Sequence, residues 1–319
     1  MSEPSSQSAP PRIVIPGAAG LVGQNLIIQL EARGWNDIVA IDKHPANTAL
    51  LRELHPGIQV VEADISRPGA WERHCAGADV LVMLQAQIGA RDSGPFIANN
   101  IEATRRMLAV ARDHGITRVV HVSSSVVESV AEDDYTETKK QQEAMVRDSG
   151  LDYCILRPTL MFGWFDRKHL GWLSRFMKRV PVFPIPGHGR YMRQPLYVKD
   201  FCAIIVSCIE RFPSGQTFNI TGRERIDYID IIRAIRRATG ARTAIVRIPY
   251  GLFWFLLWLW ARFDRDPPFT TDQLEALVAG DEFELIPWWE IFGVEATPFA
   301  EAIAETFRHP RYSRYELKF

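Results

Sequence analysis

The feature that most constrains this chain is "PGAAGLVGQNL", where Gly17, Gly20 and Gly23 recur at every third position. The apolar run "RIVI" precedes it. After it comes "LVGQNLIIQLEARG", with helical apolar spacing and a stop at Gly34. A strand, a glycine turn and a helix in that order form a cradle for phosphates. The first glycine permits the tight turn. The second lets the backbone approach a pyrophosphate, and the third lets the helix lie close to the strand. Free N–H groups and a partial positive charge at the helix start favour the anion. Three glycines alone say little; their place between a strand and a helix carries the signal.

The alternation continues down the chain. "DIVAID", "IQVVEAD", "DVLVML", "TRVVHVSS" and "DYCILRP" read as strands, and "TFNIT" as a further one. "FIANNIEATRRMLAVARDHG" and "YTETKKQQEAMVRDSG" read as helices. This order predicts an α/β fold, a doubly wound parallel sheet of Rossmann type, followed by a smaller and mostly helical C-terminal part. Residues 1–11, "MSEPSSQSAPP", read as a disordered tail without the basic start and apolar core of a signal peptide. Residues 12–165 form the expected dinucleotide-binding domain, with 194–222 returning to its sheet. Residues 166–193 and 223–319 are left for the substrate.

Composition narrows the function classes. A formal net charge of −1 leaves no nucleic-acid footprint, and 47% apolar with 24% charged residues is ordinary for a soluble globular protein. The four cysteines form no C-x-x-C pair, and three sit in apolar runs. They read as reduced, buried thiols, which points to a cytoplasmic location, and no His/Cys spacing suggests a metal.

Asp42 ends the second strand, 19 residues after Gly23. A carboxylate there holds the adenosine ribose hydroxyls and repels a 2′-phosphate, so NAD is favoured over NADP. Neighbouring Lys43 weakens that preference. Asp64 ends the third strand and suits either the adenine amino group or a helix cap before "SRPGAW". Further on, "SSSVVESVAEDDYTETKK" places Tyr135 and Lys139 four apart, on one helix face. A phenol with pKa near 10 is a poor base at neutral pH. A nearby ammonium lowers that pKa. Such a pair can take a proton from a hydroxyl while hydride leaves the same carbon.

In order, these are Gly17-x-x-Gly20-x-x-Gly23, Asp42, Asp64, Asn100 in "NNIEAT", "HVSSS", Tyr135-x-x-x-Lys139 and Arg157-Pro158. The series resembles the extended short-chain dehydrogenase/reductases. More narrowly, it resembles the NAD-dependent epimerase/dehydratase family that acts on nucleotide sugars, over residues 12 to about 222. The resemblance implies that Tyr135 is the acid/base and that Lys139 tunes it and binds the nicotinamide ribose. Ser125, or next Ser124, would orient the substrate oxygen. It also implies a cofactor site built from Gly17, Ala19, Gly20, Leu21, Val22 and Gly23. Asp42, Asp64 and Ile65 would serve the adenosine end. Leu84, Ala86, Asn100, Ser123 and Pro158 would line the rest. Gln87 and Arg193 would contact substrate, with Arg190 as a substitute for the arginine.

Two features depart from that pattern. Only about ten residues separate the serines from Tyr135, and "LQAQIGARDSGPF" is also short. Both resemble an atypical branch that includes the complex I accessory subunit. The positions where dehydratases carry a further acid and base hold Val126 and Val127, and Glu128 reads as a loop carboxylate. Epimerisation or keto reduction is therefore favoured over dehydration.

The expected function is an NAD-dependent epimerase or oxidoreductase of a nucleotide-activated or lipid-linked sugar, working as a homodimer. Two rivals remain: a nucleotide-binding assembly subunit, and a dehydrogenase of an apolar alcohol. "GLFWFLLWLWARF", residues 251–263, bears on the choice. As a helix it spans roughly 20 Å, too short for a bilayer. It is apolar all round. Three placements fit it: a core or subunit-contact helix, a peripheral membrane contact, and a mobile lid.

Overall fold

The computed structural model describes residues 9–129, 133–263, 270–279 and 283–318. Most of the N-terminal tail, the stretch 130–132 before Tyr135, and parts of "PPFTTDQLEALVAGDEF" fall outside the described residues. The short apolar runs become seven parallel strands. They are β1 (Ile13–Pro16), β2 (Ile38–Asp42), β3 (Gln59–Glu62), β4 (Val80–Met83), β5 (Arg118–Val122), β6 (Asp152–Pro158) and β7 (Gln216–Ile220). Their order across the sheet is β7-β6-β5-β4-β1-β2-β3.

The strands are apolar at successive positions because both faces are covered. On one face Ile13, Ile15, Val80, Val82 and Val120 meet Leu26 and Ile27 of α1 (Leu21–Ala32). Phe201 and Ile205 of α6 (Val198–Arg211) close the same layer. On the other face Val14, Val39, Leu81 and Val119 meet Met107 of α3 (Ala103–Asp113) and Val146 of α4 (Asp134–Arg147). The helices α2 (Pro45–Leu54) and α5 (Leu170–Arg179) were not read from the sequence. Strand order reverses at β1, which pairs in parallel register with β2 on one side and with β4 on the other. In such sheets the ligand crevice opens beyond the carboxyl ends of the strands at this switch point.

A second apolar cluster lies after β6. Leu170 and Met177 of α5 pack with Ile232 and Ile235 of α7 (Tyr228–Thr239) and Ile303 of α10 (Phe299–Arg308). Short strands tie this region together: Val182–Pro186 pairs with Ala244–Ile248, and Met192–Arg193 with Ile226–Asp227. All four cysteines are free and buried.

The tryptophan-rich run does form a helix, α8 (Tyr250–Trp260), but none of its residues is buried. The placement in this chain's own core is therefore wrong. A continuous apolar stretch looks the same in sequence whether a core covers it or not. α8 packs on α9 (Thr271–Ala279), where the Trp254 indole donates to Glu275 at 3.3 Å.

Candidate active site

The glycine turn is shaped by close approaches. Gly17 sits at φ +77°, and a Cβ there would lie 2.6 Å from the Gln85 backbone nitrogen. A Cβ on Gly23 would lie 2.2 Å from the Ala18 carbonyl oxygen, so the helix start can press on the turn only without one. Gly20 begins α1 with no side-chain cap, and the first turn holds no acidic residue. Its N–H groups suit an anion. Ala19 is buried beneath the turn, and Leu21 and Val22 are partly buried against the core.

Asp42 closes the turn from β2. Its Oδ2 accepts from the Ala19 N–H at 3.1 Å, and Oδ1 from the His44 N–H at 3.0 Å. Burial raises its pKa, against the N–H groups of His44 and Ala19, which hold it down. Lys43 turns to Asn99, donating at 2.5 Å. Asp64 caps a turn rather than the expected helix: Oδ1 accepts from the Ser66 N–H and hydroxyl at 3.0 and 2.7 Å. Burial works against its charge, yet those bonds with Lys43 and Arg67 keep its carboxyl below the usual range. Ile65 beside it is buried. The glycine turn, the open helix start and Asp42 together fit a dinucleotide.

Two hydrogen-bonded chains join this turn to the tyrosine helix. Gln85, which a Cβ on Gly17 would strike, donates to Thr104 at 3.4 Å, and Gln142 of α4 donates to the same hydroxyl at 2.7 Å. Asn100, fully buried in a π-helical turn at Ile97–Glu102, accepts from the Gln87 N–H at 2.7 Å and donates to Thr138 of α4 at 2.9 Å. Asn100 thus braces the segment after β4 against α4. Gln87 is drawn into its own loop, with Nε2 on the Gly89 carbonyl and Oε1 accepting from Asn99. Ala86 is exposed, while Leu84 hangs on the Pro16 carbonyl at 3.1 Å. Sequence reasoning missed Gln85, Thr104 and Gln142. Gln85 gave a signal, a polar residue closing the apolar run of β4, whereas Gln142 lies in a polar stretch and gave none.

At the end of β5, Ser124 rather than Ser125 meets the Tyr135 hydroxyl. Ser125 is buried at the start of a 3-10 turn, Ser125–Glu128. Ser123 is buried nearby, and Glu143 takes two hydrogen bonds from Arg157 at 2.8 and 2.7 Å. Burial opposes the charge on Glu143, but Arg157, Ser123 and Arg147 hold its carboxyl low. Glu128 accepts from Arg157 at 2.9 Å and Asn219 at 2.8 Å, a structural engagement. Pro158 is buried at the end of β6.

The electrostatics differ from the sequence expectation. Burial raises the Tyr135 phenol; the Ser124 contact pulls it down and Asp133 pushes it up. Lys139 is fully buried and donates to the Val122 carbonyl at 3.0 Å. Burial brings its pKa down to about 7, against the attraction of Glu143. The reason is physical: an ammonium stripped of water loses its charge before it can acidify a neighbour. Arg193 is also engaged, donating to the Leu277 carbonyl of α9 at 2.6 Å. Arg190 is exposed.

Comparison with known proteins agrees with this geometry. Ceramide reductase from Caulobacter vibrioides is 27% identical over 238 residues, covering 74% of this chain and 73% of that protein. A 4-hydroxy-2-methyl-3-oxo-4-farnesyl-3,4-dihydroquinoline-1-oxide ketoreductase from Stigmatella aurantiaca is 26% identical over 259 residues, covering 75% and 76%. The solved UDP-glucose 4-epimerase of Thermotoga maritima, with UDP-glucose, superposes at a TM-score of 0.73 and 18% identity over 94% of this chain and 99% of that one. That last likeness shows the fold. The model of the NAD dependent epimerase/dehydratase family matches residues 13–221, from β1 through β7. The chain belongs to the NAD dependent epimerase/dehydratase family and is an enzyme of the short-chain dehydrogenase/reductase type.

Proposed function

We propose that this chain reduces the carbonyl of a lipophilic substrate to an alcohol, with NADH as hydride donor and Tyr135 as the proton donor. The observation that carries this reading is Tyr135 set against Ser124 at the end of β5, where burial raises the phenol's pKa. The protonated phenol is the form that can donate to a developing alkoxide, which is far more basic; oxidation would need the phenol ionised at the start. A dinucleotide held by the glycine turn and Asp42 would supply the hydride. Ser124 holds the substrate oxygen beside Tyr135, and Tyr135 protonates that oxygen as the new C–H bond forms. The phenolate then regains a proton from water. Lys139 holds the end of β5 through the Val122 carbonyl.

Support for an apolar substrate comes from the two reductase relatives, whose names specify a ceramide and a farnesyl-bearing ring. The exposed apolar α8 fits the same class. Arg193, bonded to Leu277, is less suited to a diphosphate than the bare sequence suggests. A second reading, epimerisation of a nucleotide-activated or lipid-linked sugar, is supported by the match to the epimerase/dehydratase family over residues 13–221. The binding of NAD rather than NADP rests on Asp42 beneath the ribose position.

The test is NADH consumption with a long-chain keto-sphingoid substrate and, separately, UDP-glucose. The lipid should oxidise NADH and the sugar should not. Turnover of UDP-glucose to its epimer with no net NADH change, and no reaction with the lipid, overturns the reduction.

A further inference from the structure

We infer that α8 is a docking helix that lays this chain on an anionic membrane surface. Leu252, Phe255, Leu256 and Trp260 are each between 46% and 50% exposed, and Phe263 just beyond is 85% exposed. With Trp258 and Leu259, each 39% exposed, these positions cover a little more than half of the helix circumference at 100° per residue. A helix apolar on every side belongs in a surrounding apolar medium, and this one is not in the core. A flat protein partner would cover one side and leave the rest in water. The acyl boundary of a bilayer covers all the outward sides at once.

Length and rim chemistry agree. Eleven residues make a helix of roughly 17 Å, too short to cross hydrocarbon. No helix among the described residues is long and apolar enough to cross a membrane, so α8 would lie in the interface. Its three indoles, Trp254, Trp258 and Trp260, are the side chains that favour the headgroup level. Arginines stand at both ends. Arg247 is exposed on the strand that leads into α8, and exposed Arg190 lies in the turn whose Gly187 N–H donates to the Ile248 carbonyl. At the far end Arg262 stacks on Trp258 at 4.6 Å. Such a collar complements lipid phosphates.

The helix also stands on the substrate side of the molecule. α8 packs on α9, and the Leu277 carbonyl of α9 receives Arg193. The inference itself does not depend on the catalytic reading, because it is read out by binding.

The test is flotation of the full chain with phosphatidylcholine vesicles, with and without phosphatidylglycerol. The chain should float with the anionic vesicles and less with the neutral ones, and salt should weaken the binding. The double variant Leu256→Asp/Leu259→Asp should lower the bound fraction about tenfold or more. Arg247→Glu/Arg262→Glu should abolish the preference for anionic lipid while leaving the circular-dichroism melt unchanged, which keeps the test valid if the first variant misfolds. Failure of the native chain to float overturns the inference. So does a dimer in solution that Leu256→Asp/Leu259→Asp dissociates without any vesicle binding, since a second copy would then be the cover.

Discussion

Lys139 Nζ donates to the Val122 carbonyl at 3.0 Å, at the end of the strand that leads into the serines. The nitrogen is fully buried, and burial depresses its pKa from 10.5 to about 7. A base whose folded pKa is depressed carries a cost that is fully present below the folded value. Between about pH 7 and about pH 10.5 the unfolded chain binds more protons than the folded one, so stability rises with pH across that window. Lys139→Met removes this dependence. Thermal melts of both forms between about pH 6 and about pH 10 should show the native chain gaining on the variant as pH rises. A difference that stays flat would mean that Lys139 keeps its charge in the fold.

The contact between Tyr135 and Ser124 gives the catalytic prediction. Tyr135→Phe should lower kcat/KM by about 100- to 10,000-fold, the usual range for losing a positioned proton donor. Ser124→Ala should cost activity and leave the melting temperature nearly unchanged. Ser125→Ala should do the reverse, because Ser125 is buried in the turn. Steady-state rates beside melts for the three variants check this. Equal losses for both serines would show that the contact does not select Ser124.

How much of this was legible in the sequence follows from what each signal depends on. The inner strands were legible because they are buried on both faces, as Ile13, Val14 and Ile15 are, and a doubly covered strand needs an unbroken apolar run; the edge strands Gln59–Glu62 and Gln216–Ile220 are only partly buried. Gly17 and Gly23 were legible because backbone atoms exclude a Cβ there, a local requirement. The choice of Ser124 was not, since it depends on how the turn Ser125–Glu128 aims two adjacent hydroxyls. The direction of the Tyr135 shift was not either: the helix face puts Lys139 nearby, but only the packed fold removes water from both. Arg193 meets a carbonyl 84 positions along the chain, which no spacing encodes. Asn100 was read as a cofactor neighbour, yet its observed bonds are to Gln87 and Thr138. The helix at Pro45–Leu54 was overlooked because it buries few apolar side chains, Leu51 and Leu54 among them.

The glycine turn separates conformational strain from ligand binding. Gly23→Ala would drive a Cβ to 2.2 Å from the Ala18 carbonyl and push α1 away from the turn. Overpacking of that kind costs roughly 1–3 kcal/mol and should weaken NADH binding with it. Gly34→Ala is the control. Gly34 shares the φ of +77° with Gly17, but nothing lies within 4 Å of its added Cβ. It should lose stability through backbone strain alone and keep its NADH affinity. Calorimetric titration beside melts distinguishes the two. An unchanged affinity in Gly23→Ala would place the pyrophosphate elsewhere.

Cofactor choice rests on Asp42, whose two oxygens are fixed by the Ala19 and His44 N–H groups at 3.1 and 3.0 Å. That anchoring leaves the carboxylate unable to swing away from a 2′-phosphate, so the repulsion must be met in full. Asp42→Asn removes the charge and retains one acceptor for the turn. The nearest cation, Lys43, is held by Asn99 at 2.5 Å and can be released toward a phosphate by Asn99→Ala. Asp42→Asn should shift the ratio of kcat/KM for NADH over NADPH toward NADPH by about tenfold, and the addition of Asn99→Ala should shift it further. Steady-state rates with each cofactor measure the ratio. If it does not move in either variant, the adenosine ribose lies away from the end of β2, and the nucleotide preference is set by groups other than Asp42 and Lys43.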